Sequence, residues 1–422
     1  MNPSGIFLAA SGLDIPVTSD LLKLYLPVLL VSFVVAVAIT PLIRWIAREA
    51  GIVDHPDEAR KLHKKPIAYL GGFVILFATL AGIGLSYSGV VDQPIVMKQV
   101  PFVIVIGMVA IAFTGFIDDA WGSYSWHKTA GQLVAAAAMA QQGIGTNVAA
   151  GFLKGIGVPK TISEFVFLDS SLIVSDPITP TYIIGIVIIG LFILGACNAA
   201  NLIDGLDGLL SGVCAITAIG ILIITLIVLN TITPEQIEAL RLELPVDPLG
   251  MQGIDGVLLL GANIVLCMAV LGAVLGFLVY NFNPASIFLG DTGSLLLGYL
   301  CIAMVLMLGE RGQTHIVIAG LIVFALPIMD TALAITRRKI AGKPISEPDA
   351  NHIHHIVKRK LINVKKSVFA LYGMSAIFAI VGIALAWAQL TGHIRAWIIY
   401  IIASVMFCAI GYVAIRAARK FE

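Results

Sequence analysis

Charge is scarce in this sequence. Only 12% of its 422 residues are Asp, Glu, Lys or Arg, 59% are hydrophobic, and mean hydropathy is +0.99. A soluble domain carries about 25% charged residues. A deficit spread over the whole length excludes an ordinary water-soluble globule and makes lipid the expected solvent. The net charge of +1 gives no argument for nucleic acid, and none is expected as a partner. Metal-ligand cysteine spacing is also missing. Cys197, Cys214, Cys267, Cys301 and Cys408 all lie in apolar runs and read as small buried hydrophobes. Residues 1–23 contain Asp14 and Asp20 and have no basic start, so they do not read as a cleaved signal peptide. The first span is expected to act as the insertion signal. Repeats and low-complexity segments are absent, which leaves a single membrane domain over 1–422.

Crossing a bilayer takes about 20 apolar residues in a helix. Eleven segments are candidates: 24–47, 69–88, 101–117, 128–143, 182–200, 208–229, 256–280, 292–308, 314–336, 367–390 and 395–415. The fourth is short and carries Gln132, Gln141 and Gln142, which suits a bundle-facing helix. The expected fold is all-α, a polytopic membrane helix bundle. With the amino terminus outside, 19 Lys and Arg fall in inner segments and 7 in outer ones. That asymmetry predicts an outer amino terminus and a cytoplasmic carboxyl terminus. Two outer loops are long. In 144–181, Phe165-Val-Phe-Leu and Ser171-Leu-Ile-Val flank Asp169-Ser170, which reads as a small periplasmic hairpin. In 230–255, Thr233-Pro-Glu reads as a helix start.

Acids at membrane depth are expensive and usually functional. Asp118 and Asp119 end the third span, Asp204 and Asp207 follow the fifth, Asp291 follows the seventh, and Asp330 lies near the inner end of the ninth. On this topology all six sit on the inner side. A lone acid there is commonly a solvated cap, and Asp330 fits that reading best, or a helix–helix hydrogen bond. The pair Asp118-Asp119 does not, because adjacent carboxylates repel unless a cation or a shared proton relieves them. In Asn201-Leu-Ile-Asp-Gly-Leu-Asp-Gly, the spacing of three puts Asn201, Asp204 and Asp207 on one side of a helical turn. Gly205 and Gly208 would let a ligand approach the backbone. Phe288-Leu-Gly-Asp-Thr-Gly-Ser repeats the theme at a helix start, where an anion is favoured.

Carboxylates and amides opposite basic side chains suit a divalent cation with phosphates. Mg²⁺ takes one or two carboxylates and completes its shell with phosphate oxygens and water. Lys128 is the only basic residue of its inner loop and would suit a pyrophosphate; the bland alternative is an interfacial lysine. Asn351-His-Ile-His-His lacks a nearby cysteine and an i, i+4 histidine pair, so anion binding beside Arg337, Arg338 and Lys358 is favoured over zinc. The first inner loop, Asp54 to Pro66, is basic and is followed by Gly71-Gly72, which suits close helix packing.

Taken in order, Asp54 to Gly72, Asp118-Asp119, Asn201 to Gly208, Asn281 to Ser294 and Arg337 to His355 resemble the polyprenyl-phosphate N-acetylhexosamine-1-phosphate transferases. The resemblance implies that a UDP-sugar and a polyprenyl phosphate yield polyprenyl-pyrophosphoryl-sugar and UMP. It implies Mg²⁺ at Asp291 and Asn201, with Mn²⁺ as the alternative ion, and a uracil contact at Asp207. Asn281 and Lys128 resemble nucleotide pyrophosphate contacts, and Asp118, Asp119 and Asp204 resemble the catalytic acids. Arg337 or Arg338, with His352, His354 and His355, resemble the loop that grips the donor. Ile353 interrupts the histidine run, as in the branch that uses UDP-N-acetylglucosamine and undecaprenyl phosphate. The muramoyl-pentapeptide branch, with three consecutive histidines, is the alternative. The family also implies an inner-membrane enzyme with a cytoplasmic site, and a homodimer.

The chemistry this implies is phosphoryl transfer between two anions, which requires charge screening and alignment. Direct attack is favoured, with Asp118 or Asp119 as base or orienting group. A covalent aspartyl-phosphate route uses the same residues. A secondary transporter is the rival of another class, but it would place coupling acids near the midplane in related halves, and neither feature is visible.

Overall fold

A computed structural model of the chain describes residues 18–54, 66–91, 97, 99–122, 125–155, 157–159, 166, 179–233, 258–309, 312–340, 342–344 and 352–418. These residues are overwhelmingly helical, as a lipid environment requires, because a helix satisfies its own backbone groups. In chain order the helices are α1 (Thr18–Glu49), α2 (Gly71–Tyr87), α3 (Phe102–Trp121), α4 (Ser125–Gln141), α5 (Asn147–Gly155), α6 (Pro180–Ile203) and α7 (Leu209–Leu229). There follow α8 (Leu258–Asn281), α9 (Gly290–Met307), α10 (Thr314–Val323), α11 (Ala325–Ile340), α12 (Ile353–Leu361), α13 (Val364–Leu390) and α14 (Ala396–Ala418). Two short antiparallel strands, β1 (Val53–Asp54) and β2 (Ile67–Ala68), pair Val53 with Ala68.

Seven of these helices are long and apolar enough to cross a membrane, and eight spans result if the bent pair α10 and α11 counts as one. The other three segments of the sequence-based count of eleven are shorter helices: Gly71–Tyr87, Ala396–Ala409 and the 17 residues of α4. Apart from Val166, the expected hairpin at 165–174 lies outside the described residues, as does the helix start after Thr233. Within the same long loop, the structure adds α5, which sequence reasoning did not anticipate.

The segment 314–336, expected as one span, is two helices meeting at 81°. Pro327 explains the break. Its ring would clash with the carbonyl of Val323 in a continuous helix, but it is tolerated in the first turn of a new one. Opposite the α11 face that carries Asp330, α10, α11 and α14 line an open apolar groove of about 750 Å³. Ile322, Ile328, Met329 and Phe407 are among its lining residues.

The bundle is organised around α9. Across their apolar stretches α9, α8 and α7 bury 89%, 83% and 78% of their residues, against 22% for α1 and 28% for α13. The first three therefore form the centre, and α1 and α13 present most of their surface to lipid. Association in lipid lacks a hydrophobic drive and relies on close packing. Glycines provide it. A Cβ on Gly72 of α2 would stand 2.3 Å from the Gly293 nitrogen of α9, and one on Gly115 of α3 would stand 2.5 Å from the Thr292 Cα. Gly298 of α9 abuts the Ala196 carbonyl of α6 in the same way. The expected packing role of Gly71-Gly72 is thus present.

Because the Gly72 neighbour is backbone, Gly72→Ala should lower stability by about 1–3 kcal/mol. Gly84→Ala, where nothing lies within 4 Å, is the neutral control. Thermal unfolding in detergent measures the difference, and equal melting of the two variants would refute the packing role.

Candidate active site

The Asp118-Asp119 pair separates into two tasks. Asp119 sits at the carboxyl end of α3 and reaches the amino terminus of α9. It accepts the Asp291 N–H at 2.8 Å, the Thr292 N–H at 2.9 Å and the Thr292 hydroxyl at 2.6 Å. The anion favoured at that helix start is therefore the chain's own carboxylate. Asp118 instead pairs with Lys128 Nζ at 2.7 Å. Lys128, on the first turn of α4, also pairs with Asp291. One ammonium thus bridges two carboxylates, and the like-charge repulsion of the pair is relieved by two separate partners.

The motif from Asn201 to Gly208 is a helix end and a turn, where a single helical turn was expected. Helix α6 stops at Ile203, Asp204 is its C-cap, and Gly208 adopts φ +79 to start α7. A side chain at Gly208 would strain that left-handed backbone. The three polar residues still face one cleft of about 300 Å³, lined also by Asp54, Tyr69, Asn281, Phe288, Asp291 and Ser294. Asn201 donates to Ser294 Oγ at 3.1 Å. Asp207 accepts from Asn283 Nδ2 at 2.8 Å and from the Ala285 N–H at 3.0 Å, both on Oδ2. Asn281 accepts from Ser211 at 3.0 Å and donates to the Ile287 carbonyl at 3.0 Å. These bonds fold the segment between α8 and α9 over the cleft. Backbone bonds from Phe288 to Ala68, and from Gly71 and Gly72 to Phe288 and Leu289, stitch it to β2 and α2.

The fourth wall comes from α12. His355 and Lys358 line the cleft. His354 packs on the other side of Gly205, where a Cβ would stand 2.1 Å from its Nε2. The absent side chain there makes room for an imidazole of the chain, where a ligand was expected. Burial, then the neighbouring His355, push His354 down to about 3, so it is neutral at any working pH. Burial, then His352, also lower His355. His352 does not line the cleft; its Nδ1 lies 2.9 Å from Asp330. Arg337 and Arg338, in the last turn of α11, do not line it either.

Asp204 is distinctive. Its carboxyl has no hydrogen-bond partner among the described residues. Burial, then Asp291, Asp207 and Asp119, push it up to about 8. No three His, Cys, Asp or Glu side chains among the described residues are grouped closely enough to hold a metal alone. A cluster of acids with one unpaired carboxyl, and no complete cage, fits Mg²⁺, whose shell is finished by phosphate and water.

Sequence reasoning gave no role to Tyr69 or Ser294, and placed Lys358 only beside an expected anion. The Tyr69 hydroxyl bonds Asp54, and burial, then Asp54, raise its pKa. Its ring packs against Phe288 at 6.2 Å. Their signal was position: Tyr69 adjoins Leu70-Gly71-Gly72, Ser294 closes Asp-Thr-Gly-Ser, and Lys358 follows His355 by three.

With this geometry in view, similarity to known proteins becomes informative. The family model for glycosyl transferase family 4 matches residues 101–309. A probable undecaprenyl-phosphate N-acetylglucosaminyl 1-phosphate transferase of Bacillus subtilis (strain 168) is 31% identical over 362 residues, 86% of this chain and 85% of the relative. This chain belongs to glycosyl transferase family 4. Two other relatives show the spread of the family. A decaprenyl-phosphate N-acetylglucosaminephosphotransferase of Mycobacterium leprae (strain TN) is 31% identical over 75% of this chain and 72% of its own length. A phospho-N-acetylmuramoyl-pentapeptide-transferase of Shouchella clausii (strain KSM-K16) is 31% identical over 84% and 95%. The family match contains the cleft residues from α3 to α9, whereas the α12 wall lies beyond it.

The raised Asp204 carboxyl predicts a pH-dependent stability. Between about pH 4 and 8 the folded state binds more protons than the unfolded chain, so stability falls as pH rises through that window. Asp204→Asn should therefore raise the melting temperature of the metal-free protein more at pH 8 than at pH 5. An equal shift at both would rule out an unpaired acid at this position.

Proposed function

We propose that the chain transfers N-acetylglucosamine 1-phosphate from UDP-N-acetylglucosamine to undecaprenyl or another polyprenyl phosphate, releasing UMP. The carrying observation is the Asp118–Lys128–Asp291 cluster at the edge of a cleft lined by Asn201, Asp204 and Asp207. The names of the Bacillus subtilis and Mycobacterium leprae relatives support the sugar and the lipid. Ile353 within the histidine run supports the N-acetylglucosamine branch over the muramoyl-pentapeptide branch. The proposed orientation places the cleft on the cytoplasmic side of the inner membrane, following the Lys and Arg asymmetry.

In this reading Asp291 and Asn201, with Asp204 adjoining, would hold Mg²⁺. The ion supplies Lewis-acid stabilisation of charge on the transferring phosphoryl group. Lys128 meets the donor pyrophosphate as a point charge. Asp207 contacts the uracil while pinning the segment at Asn283. Asp118 keeps a carboxylate beside the reacting phosphates and accepts the proton of the acceptor phosphate, whose oxygen then attacks directly. Asp119 acts through the helix it caps. His355 and Lys358 flank the donor.

A panel of UDP-N-acetylglucosamine, UDP-N-acetylgalactosamine and the muramoyl-pentapeptide donor, with polyprenyl phosphate and Mg²⁺, tests the assignment. UMP release is expected with the first donor and should stop on chelation. Turnover only with the muramoyl donor would replace the reading by its alternative. Asp291→Ala should cut turnover at least about 100-fold while the protein still inserts. Near-normal turnover would refute its role.

Asp207→Asn keeps an oxygen for Asn283 and Ala285 but loses the charge. The donor KM should rise about 10-fold with little change in acceptor KM. An unchanged donor response would count against the uracil contact. Donor alone should leave no phosphorylated enzyme, and trapping one would replace direct attack by the covalent route.

A further inference from the structure

Asp330 is fully buried in α11, within the bent membrane segment, yet its two oxygens serve a helix outside the apolar spans. Oδ2 lies 2.9 Å from His352 Nδ1, and Oδ1 accepts the Ile353 N–H at 2.7 Å. His352 is the N-cap of α12 and Ile353 its first residue. The His352 side chain makes no cap bond of its own, and Asp330 supplies a carboxylate at that helix start. From this anchored end, α12 carries His354 to the back of Gly205 and His355 and Lys358 into the cleft. The rings of His352 and His354 lie 8° from parallel, 5.6 Å apart, so fixing the first constrains the second. On the other faces of α12 the chain continues into α13 through Asn363, which caps α13 by accepting the Lys366 N–H at 3.1 Å. Ile353 and Val357 also pack against the apolar core, and Asp330 adds the polar contact at the helix start.

We propose that Asp330 is a positioning residue for the transfer reaction: from inside the bundle it holds α12 in the one orientation that places His355 and Lys358 against the donor. This rests on the reading above. Its own content is that an acid which touches no substrate governs the donor wall. The 81° break before α11 is what lets it reach. Asp330 is the sixth residue of the tilted helix, and its side chain meets a segment more than 20 residues further along the chain.

The test uses the full-length protein in detergent or nanodiscs. Asp330→Asn retains an acceptor for Ile353 but removes the charge facing His352. It should lower kcat/KM for UDP-N-acetylglucosamine on the order of 10- to 100-fold, chiefly through donor KM. His352→Ala should do the same, and the double variant should be no worse than the worse single one, because the two act as a unit. Ile353→Pro removes the backbone donor, and Ile353→Ala controls for the loss of the buried side chain. The position is the first of a helix, and His352 already has φ −58 and ψ 152, which a following proline requires, so the helix itself is retained. It should raise donor KM in the same direction.

Hydrogen exchange over 353–361 should accelerate in Asp330→Asn while α9 stays protected. Unchanged kcat/KM in Asp330→Asn and Ile353→Pro, or losses that multiply in the double variant, would overturn the proposal. If wild-type protein releases UMP from no donor, the functional reading fails. Exchange then decides separately: unchanged protection of 353–361 overturns the anchor, and selective loss supports it.

Discussion

The Asp119 carboxylate on the amino terminus of α9 is the contact from which the rest of the site is laid out. It joins the end of one span to the start of the most buried one, with three hydrogen bonds on a single carboxylate. The first of these donors is the backbone of Asp291 itself, so the acid that faces Lys128 is located by its own peptide group. Charge-assisted bonds of this kind are short and directional, and a helix terminus reinforces them. With α9 placed, Ser294 meets Asn201, and the segment before α9 meets β2 and α2.

Much of this was legible in the sequence, and the reason is the solvent. Lipid forces helices, and acids then stand out against an apolar background. The order of acidic motifs along the chain was sufficient to suggest the family. What sequence could not supply was the division of labour among like residues. Asp118 and Asp119 are identical and adjacent, yet one faces an ammonium and the other a helix end, because successive residues of α3 point in different directions. Asn201, Asp204 and Asp207 were assigned one face by helical spacing. They share a cleft because the helix stops at Ile203 and the turn swings the last two back. The break at Phe324 could have been read from Pro327, whose ring conflicts with a straight span.

Asp330 shows how far a correct but bland reading falls short. Position alone suggested a cap or a helix–helix bond, and it does make a helix-capping contact. The helix it serves is outside the apolar spans and carries the histidines. Arg337 and Arg338 show the reverse: the basic end of α11 lies in the right motif, but the cleft is lined from α12 instead. Both follow from a bent segment, and one-dimensional spacing does not convey an 81° turn.

The glycines around α9 have a consequence for how this architecture can diversify. Where backbones of α2, α3 and α6 touch α9 with no side chain between, there is no slack for a helix to shift and no volume for a larger residue. The acid-bearing floor of the cleft is thus mechanically stiff and intolerant of substitution. The α12 wall is different: it is pinned at its first turn and has exposed residues along its length, such as Lys360 and Leu361. On the function proposed above, a new donor sugar would be accommodated by resculpting residues 353–361 without disturbing the floor. Under that function, novelty in substrate choice would be channelled into this short stretch, while the phosphate chemistry stays in the bundle.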